Sequence, residues 1–436
     1  MAADRDFGFS TRALHAGTPP DPVTGARATP IVMSASYVFE STEHAANLYA
    51  LRTYGNIYSR ISNPTVSAFE EKIASLEGGL GAVATSSGHA AQLIAVLALA
   101  QNGDHMVSSA NLYGGSVTQF SVAFKRLGIE TTLVPGGEPD AMRAAIRPNT
   151  KALYVETIGN PQGTIGDIEG LAKVAHAAGV PLIVDNTFAS PYLCRPIEHG
   201  ADIVVHSATK FICGHGTVMA GVVVESGKFP WSAGKHPLLS DPSPGYHGML
   251  FTETFGEYAF LMRARAEVLR DFGPCLSPFD AFLLIQGVET LAVRMERETA
   301  SAATIASHLE KHDGVAWVRY PGSASNPQRE LVRKYLPRGA GSIFTFGLRG
   351  GRTAAVAFIE SLQLWSHLAN VGDAKSLVIH PASTTHAQLS EDEMERAGVT
   401  PDMVRVSVGL EDVDDLIWDL DRALAAAGKA TGATAR

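Results

Sequence analysis

Residues 201–216 read Ala201-Asp202-Ile203-Val204-Val205-His206-Ser207-Ala208-Thr209-Lys210-Phe211-Ile212-Cys213-Gly214-His215-Gly216, and this stretch decides how the fold is read. Its first six residues have the β-branched composition, the length and the polar exit of a short buried strand. Beyond the exit stands Lys210, three residues past a hydroxyl and just ahead of a glycine-rich turn. A lysine ending a strand ordinarily caps a surface. Its amine is also the side chain that forms Schiff bases with carbonyl compounds, once burial or neighbouring charge lowers its pKa. Ser207 and Thr209 are suited to an anion such as a phosphate, so the three residues together point to a phosphorylated aldehyde.

Outward from this stretch, strand and helix signals alternate over residues 63–262, which predicts βαβ units and a mostly parallel sheet. Residues 180–186 form a buried strand that delivers Asp185 at its C-terminal end, where open α/β sheets place their ligands. An aspartate there is equally a common turn or cap residue. Residues 152–157 form another strand, running into Asn160-Pro161. The strand predicted at 81–86 breaks at Ser87-Gly88, and 89–100 reads as a buried helix. The free backbone amides of Gly88 and His89, with the helix dipole, then make a phosphate cradle. Gly79-Leu80-Gly81-Ala82-Val83-Ala84 half matches a dinucleotide fingerprint but precedes its strand instead of following it. Tyr113, in a glycine-flanked loop, offers a ring to stack on a planar ligand, or simply packs in a turn.

The two ends read differently. Residues 1–62, rich in Pro, Gly, Ser and Thr, read as an extended arm that needs a surface to lie on, and hence a partner subunit. Tyr58 and Arg60, two residues apart, share one face of an extended segment, where they form either an anion grip or a surface turn ahead of a helix at 66–77. Residues 228–256 are long for a plain connection and read as a functional loop forming part of a pocket wall. Helices follow at 257–271 and 283–309, and residues 263–436 form a smaller α+β domain with strands near 315–318, 342–346 and 403–409. In the last of these Val404, Val406 and Val408 take the core face, which leaves Arg405 and Ser407 on the other. Arg405 there either clamps a carboxylate in bidentate fashion or lies on a solvated face. Residues 427–436 read as a disordered tail.

The length of 436 residues suggests two or three domains with a large core. A net charge of −9, with no basic stripe, argues against nucleic acid and anionic membranes as partners. No apolar run approaches a membrane span, and the first residues lack a secretory signal. The three cysteines, Cys194, Cys213 and Cys275, are too few and scattered for a disulfide framework or thiolate metal cage. The expectation is a cytoplasmic protein without a metal.

Taken together these residues meet the requirement of one cofactor, pyridoxal 5′-phosphate. Asp185 can keep the ring nitrogen protonated, Lys210 can take the aldehyde, and Tyr113 can cover the ring. Ser207, Thr209, the Gly88-His89 backbone and a cation such as Arg60 can hold the phosphate. The chain also carries Tyr58-Ser59-Arg60 with Asn63-Pro64-Thr65, Ser86-Ser87-Gly88, Tyr113-Gly114-Gly115, Glu156-Thr157 with Asn160-Pro161, and Val184-Asp185-Asn186. Ser207-Ala208-Thr209-Lys210 with Gly214-His215, Ser376-Leu377, His380-Pro381 and Arg405 complete the series. In order and spacing, from about residue 10 to 425, these motifs resemble the Cys/Met-metabolism enzymes that depend on pyridoxal phosphate, of fold type I.

The resemblance implies a fold type I transferase: an arm (1–62), a cofactor-binding large domain (63–262) and a C-terminal domain (263–436). It implies Lys210 as the Schiff-base lysine, Asp185 as the partner of the ring nitrogen, Tyr113 stacking on the ring, and Asn160 near the cofactor's phenolic oxygen. Ser207, Thr209, Gly88 and His89 would bind phosphate, and Arg405 with Ser376 the substrate. Tyr58 and Arg60 would reach a neighbouring subunit's phosphate site in a homotetramer built as a dimer of dimers. Residues 237–247 and 370–386 are most similar to the branch that joins O-acetylhomoserine with sulfide or methanethiol, in methionine biosynthesis. Nearest to that reading is cystathionine γ-synthase or γ-lyase chemistry on the same scaffold. Gly115 in place of a cysteine, and Lys375 in place of an acidic residue, count against the lyases; His89 replaces a common methionine where only a backbone amide is needed. A nicotinamide oxidoreductase would leave Lys210 unexplained, and a non-catalytic scaffold would not need Lys210, Asp185 and Arg405 together.

Overall fold

A computed structural model describes residues 5–232, 235–385, 387, 394 and 398–432. Its centre is a seven-stranded sheet of β1 (Gly81–Thr85), β2 (His105–Ser109), β3 (Glu130–Val134), β4 (Thr150–Glu156), β5 (Leu182–Asp185), β6 (Ile203–His206) and β7 (Gly221–Glu225), in the order β1-β7-β6-β5-β4-β2-β3. Only β7 runs antiparallel to its neighbours; the other pairs are parallel. Parallel strands need crossover helices, and these cover both faces, so β2, β6 and β7 are buried at every residue.

The helix Pro64–Glu77 shows why the elements begin and end where they do. Asn63 caps it by accepting from the amides of Thr65 and Val66, Pro64 occupies the first turn, and Gly78 ends it at a φ of +75°. Phe69, Ile73 and Leu76 on its inner face join Val184, Val204 and Val222 from the sheet in one apolar cluster. Helical segments from Ala259–Arg263 through Ala264–Leu269 pack on the opposite face with Val83, Ile183 and Val205. The helix expected at 283–309 is two, Pro278–Glu289 and Leu291–Leu309, because the chain starts earlier at a proline and bends at Thr290.

A second sheet follows, with β8 (Val315–Arg319), β9 (Ile343–Leu348), β10 (Ser366–His367), β11 (Leu377–Ile379) and β12 (Met403–Ser407) in the order β10-β11-β12-β9-β8. Its pairs are antiparallel apart from β10 with β11. The helix Val413–Ala430 covers it, burying Leu416, Leu420, Ala423, Leu424 and Ala427. That apolar stripe corrects the expected tail: residues 427–430 are the last turn of a packed helix, since Ala427 still faces the core.

The N-terminal segment is less extended than its composition suggests. It carries the helices Phe9–His15 and Thr42–Tyr49. The first is fastened to the body by Lys72, whose buried Nζ donates to Ala13 O at 2.7 Å and Thr18 Oγ1 at 3.3 Å. The rest presents Val23, Met33, Val38, Tyr49, Tyr54 and Tyr58 to solvent. No helix among the described residues is long and apolar enough to cross a membrane.

Candidate active site

The C-terminal ends of β4, β5 and β6 open onto a cavity of about 930 Å³, including the part open to solvent. β5 ends on Asp185, β4 ends on Glu156, and the turn after β6 carries Ser207, Thr209 and Lys210; all five line the cavity. Asp185 is held from beneath. Its Oδ1 accepts from Thr187 N at 2.9 Å, and its Oδ2 from Tyr154 Oη at 3.1 Å and Gln92 Nε2 at 3.4 Å. Burial, and next the Asp185 charge, push the Tyr154 phenol up, so it stays a donor to that carboxylate.

Lys210 Nζ donates to Asn370 Oδ1 at 2.5 Å. Burial first, and the Arg405 charge second, lower its amine to about 8. That places it close to the range in which an amine works as both base and nucleophile. Arg405 arrives from the other sheet, mid-strand in β12, paired with Thr345 of β9 and Ile379 of β11. Burial lowers its guanidinium to about 10, so it remains charged at neutral pH. Among the described residues its hydrogen-bond partner is Asn160 Oδ1, at 3.2 Å.

Glu156 joins two loops. Its Oε1 accepts from Tyr113 N at 2.7 Å and its Oε2 from Asn160 N at 3.1 Å. Burial, then the Asp185 charge, raise its carboxyl well above the ordinary value. Tyr113 stands half exposed in the cavity wall, with the ring of His89 edge-on at 5.8 Å. Gly88 opens the helix Gly88–Leu97, so its amide and that of His89 have no intrahelical acceptor. A Cβ on Gly88 would lie 2.7 Å from Ser207 Cβ, so only glycine lets these two turns meet. Ser207 N donates to Thr187 Oγ1 at 2.8 Å, while the Ser207 hydroxyl has no partner among the described residues. The Thr209 hydroxyl accepts from Ala220 N at 2.9 Å.

Lys210, Asp185, Ser207, Thr209, Gly88, His89, Tyr113, Asn160 and Arg405 are thus brought to one cavity. Three expected residues are not. Ser376 is fully buried and its groups are spent: N and Oγ donate to Glu411 at 2.7 and 2.8 Å, and Oγ accepts from Gly409 N at 2.9 Å. Tyr58 and Arg60 are exposed on the arm, the guanidinium 5.2 Å from the ring centroid, and neither lines this chain's cavity. The described residues of 228–256 also stay out of its wall, because Tyr246 and Phe251 pack on the sheet's other flank. His386 of the quoted 370–386 stretch lies outside the described residues.

Sequence reasoning missed Gln92, Tyr154 and Asn370. Each left a faint signal: a polar side chain inside the apolar runs of a helix and a strand, and a residue that opens the quoted 370–386 stretch.

The donor set fits pyridoxal phosphate on observations of this chain alone. An amine near 8 and a hydrogen-bonded carboxylate share one cavity, beside the Gly88 and His89 amides at a helix N-terminus and a Ser207 hydroxyl without a partner among the described residues.

Comparisons agree with that geometry. The O-acetyl-L-homoserine sulfhydrylase 1 of Thermus thermophilus is 52% identical over 419 residues, covering 96% of this chain and 100% of that protein. The homocysteine synthase of Schizosaccharomyces pombe is 52% identical over 419 residues, 95% of this chain and 98% of its own. A crystal structure from Campylobacter jejuni, described as an O-acetylhomoserine (thiol)-lyase and carrying an N′-pyridoxyl-lysine-5′-monophosphate, superposes with a TM-score of 0.93. It is 37% identical, covering 96% of this chain and 100% of that one. With the cavity, the lysine and the sheet order in place, and with residues 10–425 matching the family's sequence profile, the chain belongs to the Cys/Met metabolism PLP-dependent enzymes.

Proposed function

We propose that this enzyme carries out γ-replacement on O-acetyl-L-homoserine, with sulfide as nucleophile to give L-homocysteine and acetate, or methanethiol to give L-methionine. The observation that carries this reading is full-length identity near 50% to relatives named for that reaction, over a cavity that pairs Lys210 with Arg405. When bound, pyridoxal phosphate supplies an aldehyde that condenses with amines and a ring that takes up the electron pair released at the neighbouring carbon.

The positions of the residues support the following roles. Lys210 would hold the cofactor through its aldehyde, and Asp185 would keep the ring nitrogen protonated. Ser207, Thr209 and the Gly88 and His89 amides would hold the phosphate, while Tyr113 covers the ring. Arg405 would take the substrate carboxylate, with Asn370 in the place first assigned to Ser376. Once the substrate amine replaces it, Lys210 can accept the α-proton and return it, helped by its lowered pKa. Proton removal at the β-carbon would then let acetate leave the γ-carbon; sulfide would add there and the β-carbon regain a proton, with Tyr113 as the proposed carrier of that proton. Tyr58 and Arg60, exposed on an arm with an apolar surface, would complete the phosphate site of a second subunit in a homotetramer. The reading places the enzyme in the cytoplasm.

A product assay tests this. Purified protein is offered O-acetyl- and O-succinylhomoserine with sulfide, methanethiol or cysteine, and homocysteine from the acetyl donor with sulfide is expected to dominate. Preferential cystathionine formation, or release of α-ketobutyrate without a thiol, would overturn it.

A further inference from the structure

Beneath the strand ends that carry the site lies a row of buried polar side chains that the chemistry above does not use. Glu156, Asp185 and Ser207 line the cavity; their chain neighbours Thr157, Asn186 and His206 do not. Successive side chains on an extended chain face opposite ways, and these three are 0%, 0% and 1% exposed. The ladder continues through them: Thr157 N donates to Asp185 O at 2.9 Å and Asn186 N to Val205 O at 3.0 Å.

One oxygen gathers the row. Glu77 Oε1 accepts from Asn186 Nδ2 at 2.9 Å and pairs with His206 Nε2 at 2.6 Å. Asn186 also donates to Cys194 O at 2.9 Å, and its Oδ1 accepts from Thr157 Oγ1 at 2.9 Å. Glu77 is an awkward residue to keep there. It is fully buried at the C-terminal end of the helix Pro64–Glu77, where the dipole disfavours an anion, and that helix has no basic residue in its last turn. Its Oε2 and the Nδ1 of His206 find no partner among the described residues. A buried, half-satisfied network is costlier than an apolar one, so packing alone does not account for it.

We infer that Glu77, acting through Asn186 and His206, is a positioning residue that sets the ends of β5 and β6 relative to each other. It thereby sets the span from Asp185 to Ser207 and Lys210 across which the cofactor is held. Lys210 is coupled to this row within one turn, since its N donates to Ser207 O at 3.1 Å, directly after His206. The inference rests on the reading of the cavity as a pyridoxal phosphate site.

Glu77→Leu and Glu77→Gln proteins, beside wild type and Ile305→Ala, are stripped of cofactor and titrated with pyridoxal phosphate by absorbance. The bound chromophore is then titrated against pH, and melting temperatures are recorded. Ile305 is buried under the small sheet, so its variant controls for plain loss of stability. Glu77→Leu is expected to weaken binding about tenfold and shift the chromophore's pH midpoint. Glu77→Gln, which keeps an acceptor oxygen, should stay near wild type, as should Ile305→Ala at equal melting temperature. A folded Glu77→Leu protein that binds within twofold of wild type, with an unmoved midpoint, overturns the inference. If Glu77→Leu does not fold, Thr157→Val, which deletes one bond at the end of the row, replaces it: about threefold weaker binding supports the inference and unchanged binding overturns it. Wild-type protein that takes up no pyridoxal phosphate would overturn the reading of the site itself.

Discussion

The two walls of the cavity hold charge in opposite ways. On the large-sheet wall, Asp185 accepts from Thr187 N, Tyr154 and Gln92, so its charge is met by the protein before any ligand arrives. On the small-sheet wall, Arg405 is more deeply buried than Asp185 but has only the amide oxygen of Asn160 among the described residues. A buried cation facing a neutral dipole keeps most of its desolvation cost, and a carboxylate entering the cavity offsets that cost. On the roles proposed above, the first wall would be prebuilt for a resident group and the second for one that comes and goes.

Lys210, between them, gives the sharpest test. Lys210→Ala should lower turnover by about 10⁴-fold, measured as acetate release, because no other amine lines the cavity among the described residues. Wild-type-like turnover would end the division into two walls. Next comes the small-sheet wall alone: Arg405→Gln should raise KM for O-acetylhomoserine about 100-fold, the loss of a buried charge pair. Its effect on cofactor affinity should be slight. If cofactor affinity falls as much as KM rises, both walls serve the same ligand.

The pH dependence of the cofactor-free protein probes the coupling across the cavity. Lys210 is lowered from 10.5 to about 8, chiefly by burial and then by Arg405. Between those values the unfolded chain binds more protons than the folded one, so stability rises with pH across that window. Thermal melts should therefore show wild type gaining on Lys210→Met from about pH 8 to about pH 10. The smallest effect belongs to Ser376→Ala. Its hydroxyl serves Glu411 and Gly409, so kcat/KM should stay within about threefold and stability should fall by about 1 kcal/mol.

The same contrast explains what the sequence made legible. At the large sheet the signals are local: a β-branched run, its polar exit, and the residue type that follows. Asp185, Lys210 and Gly88 could be placed from a dozen residues each. Arg405 could be assigned a face by alternation, but whether that face meets water depends on a sheet assembled from β9, β11 and β12 and on what packs against it from the larger sheet. Ser376 and Asn370 were exchanged for a related reason. Both lie in one loop before β11, and only the position of Glu411, far along the chain, decides which faces the cavity. Gln92 and Tyr154 were hidden because an apolar run says nothing of the atom at the tip of a side chain. The helix at residue 427 was missed because its alanines carry little hydropathy even where they pack.

Lys72 has a bearing on how the N-terminal segment must be treated. Its buried ammonium donates to Ala13 O and Thr18 Oγ1, both upstream of the body. Cutting the chain at residue 19 would take both acceptors from that cation, and the buried Phe9 and Ala13 with them. A protein shortened there should melt well below the full chain, and Lys72→Met should restore part of the difference. What reads in composition as an arm reaching for a partner subunit is also a keystone laid from outside on this chain's own body.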